Sequence, residues 1–427
     1  MSTPPEITAR YRTAVPLIVM SGAMAYSLKH GPQPLIPSMA ATFSLTPAEG
    51  SLVVAAEMIG MSAVLLAIIL WSDFLDRKRT TGLGLLASAL LAVFIGETGN
   101  FPLIVLCRFF QGVLLGTFPA LMVSYIREEF PAAQTGPLIG LYISSTAGGG
   151  MLGRMGTTLL TDHAGWQAAF LALGAVGIAV ALLYLWRLPS ASPRPAHPRR
   201  GSLKTLLPLL ENRRLLLLSA IGFVLMGTFA TIYTYITFVL LNPPYALTKT
   251  ALAPIFLMQI FGSLGSFFTG RALARQSHGR LMFLGLGLMM GGALITLAPP
   301  IAAKLIGLAV FIAGLFTAHT TATSWIGRLD DVHDTAPAVS LYMLCYYIGG
   351  SVLAVLGGFA YAEVGWPAVI ALIAAATLVA ILAALRLCRH LQLPIPHLKM
   401  RPSQETWATI IYSFYKHIGV NIFLYRK

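Results

Sequence analysis

Residues 135–166 read TGPLIGLYISSTAGGGMLGRMGTTLLTDHAGW, and residues 335–366 read TAPAVSLYMLCYYIGGSVLAVLGGFAYAEVGW. Thr135, Pro137, Leu141-Tyr142, Gly149-Gly150 and Gly165-Trp166 recur as Thr335, Pro337, Leu341-Tyr342, Gly349-Gly350 and Gly365-Trp366, always 200 positions later. Phe43-Ser44-Leu45-Thr46 likewise recurs as Tyr245-Ala246-Leu247-Thr248, 202 positions later. The chain is an internal duplication. Each copy is a series of apolar runs near the ~20 residues that cross a bilayer as a helix. The runs fall at 14–39, 51–71, 81–97, 101–125, 137–160, 167–187, 215–240, 250–270, 281–299, 303–326, 338–361 and 366–386. An even number of spans per copy inserts both in the same orientation, related by an axis along the membrane normal. The expected fold is an all-α polytopic membrane protein with twelve transmembrane helices in two pseudo-symmetric six-helix bundles. The bundles are residues 1–187 and 215–387, with a basic linker at 188–214 and a tail at 388–427.

Composition agrees with a bilayer environment. Of 427 residues, 56% are hydrophobic and 10% charged, against about 25% charged in a soluble domain. The net charge of +14 is spread over short segments between apolar runs, which argues for membrane topology and against nucleic acid. Sorted by alternate loops, Lys and Arg collect on one side, including Arg10, Arg77, Lys78, Arg127, Arg194, Arg271, Arg328 and the tail. Only Lys249 and Lys304 fall on the other. The positive-inside rule then puts both termini and the linker in the cytoplasm. Cys107, Cys345 and Cys388 are too dispersed for a disulfide framework or a metal site, and no cofactor is expected. The first apolar run exceeds a signal-peptide core and is expected to be retained. The tail carries an apolar patch at Trp407, Ile410, Ile411 and Phe414, either a surface amphipathic helix or a loosely ordered end.

Ionisable groups within spans mark a pathway, a pair or a cavity. Here they are Lys29, His30, Glu57, Arg108, Arg154 and His319. At roughly 1.5 Å per residue, Glu57, Arg108 and Arg154 lie about 10 Å deep and Lys29 about 15 Å, so these four can share one polar cluster. Glu57 has the position of a proton carrier, or equally of a salt-bridge partner to Lys29 or Arg108. Its repeat counterpart is the neutral Gln259. Tyr26, His30, Gln33, Arg154, Tyr233, Tyr235, Gln259, His319 and Tyr346 are candidate substrate-cavity residues, although single membrane Tyr and His residues often serve only as interhelical hydrogen bonders. Gly112, Gly149, Gly150, Gly153, Gly349 and Gly350 are candidates for close helix packing.

Several local stretches resemble the major facilitator superfamily, and within it the YnfM-like bacterial inner-membrane efflux permeases. They are Gln33-Pro34-Leu35-Ile36-Pro37, Leu45-Thr46-Pro47-Ala48-Glu49, the loop Ser72-Asp73-Phe74-Leu75-Asp76-Arg77-Lys78, Arg108 with Gln111-Gly112, and His319 through Ser324-Trp325. The loop is similar to the family's signature after the second span. It implies a conformational latch of Asp73, Arg77 and Lys78 in which the carboxylate favours the N-terminus of a facing helix, near Pro337. Ile69 and Asp76 replace two signature glycines, and Arg275 stands where the second half would carry the carboxylate. Arg108 and Gly112 match the fourth-span motif associated with proton coupling, which groups Arg108 with Glu57 and Lys29. The fifth-span glycines only loosely resemble the antiporter motif, with Thr146-Ala147 in place of Gly-Pro.

The resemblance implies a secondary active transporter in a bacterial inner membrane, monomeric as a functional unit, with lipid, protons and a small solute as partners. The function it implies is proton-coupled efflux of a sugar or drug-like molecule by rocking of the two bundles. The alternative is proton symport or facilitated uptake of an anionic metabolite. A polytopic enzyme is disfavoured because no Walker loop, His-Glu-x-x-His, Gly-x-Ser-x-Gly or paired intramembrane aspartate occurs.

Overall fold

The computed structural model describes residues 4–71, 75–189, 207–329 and 335–390, all helix or turn. The first half comprises α1 (Pro4–His30), α2 (Ile36–Phe43), α3 (Pro47–Trp71), α4 (Arg77–Glu97), α5 (Phe101–Gly116), α6 (Phe118–Glu129) and α7 (Ala132–Arg187). A short α8 (Leu207–Glu211) precedes the second half, which comprises α9 (Arg213–Leu241), α10 (Lys249–Leu252), α11 (Gln259–Ala272), α12 (His278–Ile295), α13 (Ile301–Ile326), α14 (Thr335–Val364) and α15 (Trp366–His390). The described residues up to Leu387 form one compact unit. The expected amphipathic patch of the tail, Asp73 and most of the linker lie outside the described residues.

Polar N-caps fix where several helices begin. Asp76, Asn100, Asn212 and Thr248 each accept a backbone N–H from three residues on, satisfying a donor that the first helical turn leaves unpaired. Among the described residues ten helices are long and apolar enough to cross a membrane. One of them, α7, is a single helical trace of 56 residues bent at Gly165, where sequence expects two spans at 137–160 and 167–187. At 1.5 Å per residue its two arms can cover a bilayer twice. The bend needs φ 84° at Gly165, and its repeat partner Gly365, with φ 81°, separates α14 from α15. Both lie in the left-handed region that glycine adopts without penalty.

The first span departs from the uninterrupted 14–39 helix that sequence predicts. It stops at His30, passes through a 3-10 turn at Gln33–Leu35 and resumes as α2. Gly31-Pro32 is the cause, because Pro32 has no N–H to give the carbonyl of Leu28. The eighth span similarly opens with a 3-10 stretch, Ala253–Met258, that carries Pro254.

Packing repeats with the sequence. In the first half α1 and α4 pack on α7 and α3 on α5; in the second, α9 packs on α14 and α11 and α12 on α13; α3 and α14 join the halves. A Cβ on Gly149 would stand 2.0 Å from the Ala23 carbonyl oxygen, and one on Gly349 2.0 Å from that of Phe223. Gly22 sits on the Tyr142 ring as Gly222 sits on Tyr342. Every residue in these pairs moves by 200 positions, so the duplicated glycines mark duplicated helix crossings.

One end of the molecule carries the turns around residues 44, 98, 165, 242 and 298, which are poor in charge. There the halves meet closely. The Oδ2 atom of Asp162 accepts the backbone N–H of Thr250 at 3.0 Å and its hydroxyl, while Lys249 Nζ donates to the Thr161 carbonyl. Ser351 donates to the Ala55 carbonyl at 2.8 Å, and a Cβ on Gly358 would lie 2.4 Å from Ala48 Cα. A cavity of about 940 Å³ lies at this end, lined by both halves, including Thr42, Asp162, Trp166, Asn242 and Lys249.

Candidate functional site

The site begins at the break in α1. Arg108, on α5 and fully buried, sends Nη1 to the carbonyl of Leu28 at 3.2 Å and Nη2 to that of Lys29 at 3.1 Å. Its guanidinium therefore supplies the donor that Pro32 lacks. Nε reaches the Val53 carbonyl, Nη1 also reaches Gln111, and Gln111 in turn donates to the Ser88 carbonyl. Nη2 stands 3.5 Å from Oε2 of Glu57. Oε1 of Glu57 is buried without a hydrogen-bond partner among the described residues. Gly112 allows α5 to come this close, since a Cβ there would be 1.9 Å from the Glu57 carbonyl oxygen.

A continuous series of aromatic and polar groups leads away from this pair. The Lys29 ammonium lies over the rings of Tyr26 and Tyr347, at 5.2 and 4.4 Å from their centroids. Tyr26 meets His30, and His30 meets Phe229. On the other side Tyr347 meets Tyr346, and Tyr346 meets His319, whose Nδ1 is 2.8 Å from the Tyr342 hydroxyl. Beyond Phe229 comes Arg154, at 5.5 Å from that ring and 5.0 Å from Tyr233.

Arg154 stitches the halves together. Its Nε donates to Gln33 at 3.0 Å, and its Nη1 donates to Gln259 and to the Gly150 carbonyl, both at 3.3 Å. Gln33 passes the connection on, donating to the Ala230 carbonyl and to Thr234 on α9. Among the described residues the Arg154 Nη2 atom and the Tyr233 hydroxyl have no hydrogen-bond partner.

The structure thus gathers Tyr26, Lys29, His30, Gln33, Glu57, Arg108, Arg154, Tyr233, Gln259, His319 and Tyr346 along one track. Tyr235 is placed elsewhere. Its hydroxyl donates to the Ala354 carbonyl and its ring stacks on Tyr361, because it points to the α9–α14 crossing, two positions on from Tyr233. Phe229 and Tyr347 belong to the track but were not expected from sequence. A helical register of 3.6 residues, counted back one turn from Tyr233, would have found Phe229. Tyr347 is indistinguishable from its neighbour Tyr346 without the packing. Gln111 carries a conventional hydrogen-bonding signal that the motif comparison had absorbed.

Asp73 lies outside the described residues, and the described ion pair of Arg77 is with Glu128 at the end of α6, 3.0 Å away in the same half. Lys78 follows the N-cap Asp76, whose side chain accepts the Arg79 N–H. Among the packing glycines, Gly153 abuts Ser27, Gly150 faces the His30 ring and Gly350 faces Met58 of α3. No group of three potential metal ligands occurs among the described residues.

An all-helical membrane-spanning plan built on a duplicated half, with a polar track running between the halves, is that of a membrane transport protein. The chain belongs to the Major Facilitator Superfamily, whose profile matches residues 17–351. It is 31% identical over 376 residues to the MFS-type transporter YybF of Bacillus subtilis, covering 88% of this chain and 93% of that one. It is also 31% identical over 395 residues to the inner membrane transport protein YnfM of Escherichia coli K12, covering 90% and 92%. Among solved structures, a bacterial homolog of the human lysosomal transporter Spinster, in an inward-facing and occupied conformation, aligns with a TM-score of 0.69 at 15% identity, covering 91% and 97%. That last likeness speaks to the fold alone. The protein is a multi-pass membrane transporter of this superfamily.

Proposed function

We propose that the chain is a proton-coupled secondary transporter of a small organic solute, with Glu57 as the proton-carrying group and the central track as the solute path. The observation that carries this reading is the state of the Glu57 carboxylate: one oxygen 3.5 Å from Arg108, the other buried without a partner. A carboxyl group so placed can take up a proton without losing hydrogen bonds. Alternating access then comes from rocking of residues 1–187 against 215–387, joined by the 188–214 linker, in a monomer of an inner membrane with both termini cytoplasmic. Efflux in exchange for protons is the direction implied by the family resemblance.

A second reading is favoured by one feature of the track. Lys29, Arg108 and Arg154 face a single carboxylate, so protonation of Glu57 frees positive charge for an anion. Proton and anionic solute would then bind together and move together, which is symport.

Both readings are tested in liposomes carrying an imposed proton gradient and a pH dye, with a panel of sugars, organic anions and lipophilic cations. The native protein is expected to move protons on addition of one class, and Glu57→Gln to abolish the proton signal. The sign of the signal separates exchange from co-transport. Equal solute flux through native and mutant protein without proton movement would remove Glu57 as carrier.

A further inference from the structure

The track holds more donors than it uses. Arg108 is committed to the carbonyls of Leu28, Lys29 and Val53, to Gln111 and to Glu57. Lys29 is not so committed: its ammonium, on a residue 4% exposed, has the rings of Tyr26 and Tyr347 as neighbours and no hydrogen-bond or ion-pair acceptor among the described residues. Arg154 is fully buried, yet its Nη2 has no acceptor among the described residues. The Tyr233 hydroxyl is also fully buried and has none among the described residues, and the ring that carries it lies 5.0 Å from the Arg154 guanidinium.

A buried donor left unpaired costs about 1–3 kcal/mol, and more when charged. Two of them on neighbouring side chains, one cationic, are groups whose acceptor has to arrive from outside the chain, and the Lys29 ammonium adds a second buried cation to the track. The acceptor's chemistry can be narrowed. A cationic solute would meet like charges. A sugar offers hydroxyls but no charge to offset two buried cations. A carboxylate is acceptor-only, has about four lone-pair sites, can accept a charge-assisted hydrogen bond from the one free guanidinium nitrogen, and carries the charge that offsets the cations. The surrounding surface is aromatic, with Tyr26, Phe229, Tyr346 and Tyr347 presenting faces that suit an apolar or aromatic body.

We infer that the solute is an organic carboxylate with an aromatic or apolar body, its carboxylate received by Arg154 Nη2 and the Tyr233 hydroxyl with Lys29 supplying the second positive charge. The inference rests on the central track being the solute path. It does not depend on Glu57 carrying the proton.

The test is binding to the purified full-length protein in detergent, by calorimetry and by the shift in unfolding temperature, at fixed pH and ionic strength. Benzoate and hexanoate are compared with benzamide, benzylamine and phenyl phosphate. The carboxylates are expected to bind and protect, with the amide and the amine at least about tenfold weaker, as expected for loss of a charge-assisted pair. Arg154→Gln is expected to weaken benzoate about ten- to a hundredfold, and Tyr233→Phe, which keeps the ring, by several-fold. Should Arg154→Gln fail to fold, Tyr233→Phe and Lys29→Gln carry the comparison. The inference is overturned if the carboxylates show no advantage over benzamide, if benzylamine or phenyl phosphate binds more tightly than benzoate, or if Tyr233→Phe and Lys29→Gln both keep full benzoate affinity. Binding needs no proton gradient, so a failure of proton coupling in liposomes leaves this result standing, and the reverse also holds.

Discussion

Arg108 and Glu57 form an ion pair in which the two partners have unequal obligations. The guanidinium completes the broken end of α1 and ties α5 to α3, whereas the carboxylate has one ion-pair contact at 3.5 Å and a buried Oε1 with no hydrogen bond among the described residues. Removing either charge should therefore cost different amounts. Arg108→Gln is expected to lower stability by about 3–5 kcal/mol, the range for breaking a buried charged network from one side, because the Leu28 carbonyl is left with no donor. Glu57→Gln is expected to cost clearly less, since Oε1 has no bond to lose. Thermal unfolding of the two variants in detergent measures the difference; an equal loss in both would mean that the pair, not the carbonyls, is what Arg108 holds. The intramembrane charges were legible in the sequence because charge in an apolar run is conspicuous. The bonding of Arg108 was not, as it depends on which carbonyl a proline one turn further on leaves unsatisfied.

At the scale of elements, the joint between α7 and α10 deserves the closest attention. Asp162 sits at the Gly165 elbow and accepts the N–H and hydroxyl of Thr250 in the first turn of α10, which is where an acidic side chain interacts favourably with a helix N-terminus. The sequence motif places such a contact at the opposite, basic end through Asp73. Here the same physics is visible at the lightly charged end, and sequence reading missed it because Asp162 belongs to no family signature. Asp162→Ala is expected to remove about 0.5–2 kcal/mol, as for a lost N-cap, from the state in which this end is closed. Spin labels at His163 and Asn242, in a cysteine-free background, should then report a larger share of long distances. An unchanged distance distribution would reduce Asp162 to a local cap. Element boundaries themselves were mostly readable, since hydropathy locates apolar runs well. The exceptions were Gly31-Pro32, Pro254 and Gly165, where backbone chemistry interrupts or bends a helix without changing its hydropathy.

For the molecule as a whole, closing the lightly charged end requires the two halves to meet with almost no side chain between them. Gly358 against the Ala48 backbone is one such point between α14 and α3. Gly358→Val cannot be accommodated there, and overpacking of this kind costs about 1–3 kcal/mol, which falls wholly on the closed arrangement. The population of that arrangement is expected to drop roughly tenfold for each 1.4 kcal/mol, with longer His163–Asn242 distances and slower turnover. Shortened or unaltered distances would show that the halves do not part along this seam.

The charged members of the track, Lys29, Glu57, Arg108 and Arg154, all come from the first copy of the repeat. The second copy contributes Phe229, Tyr233, Gln259, His319, Tyr346 and Tyr347, with Gln259 at the position that corresponds to Glu57. The ancestral duplication has thus been followed by a division of labour. Substitutions that reshape the aromatic wall can accumulate in one copy while the ionic groups in the other stay intact, so relatives with the same energetics and different cargoes are within reach of a few changes in α9 and α14.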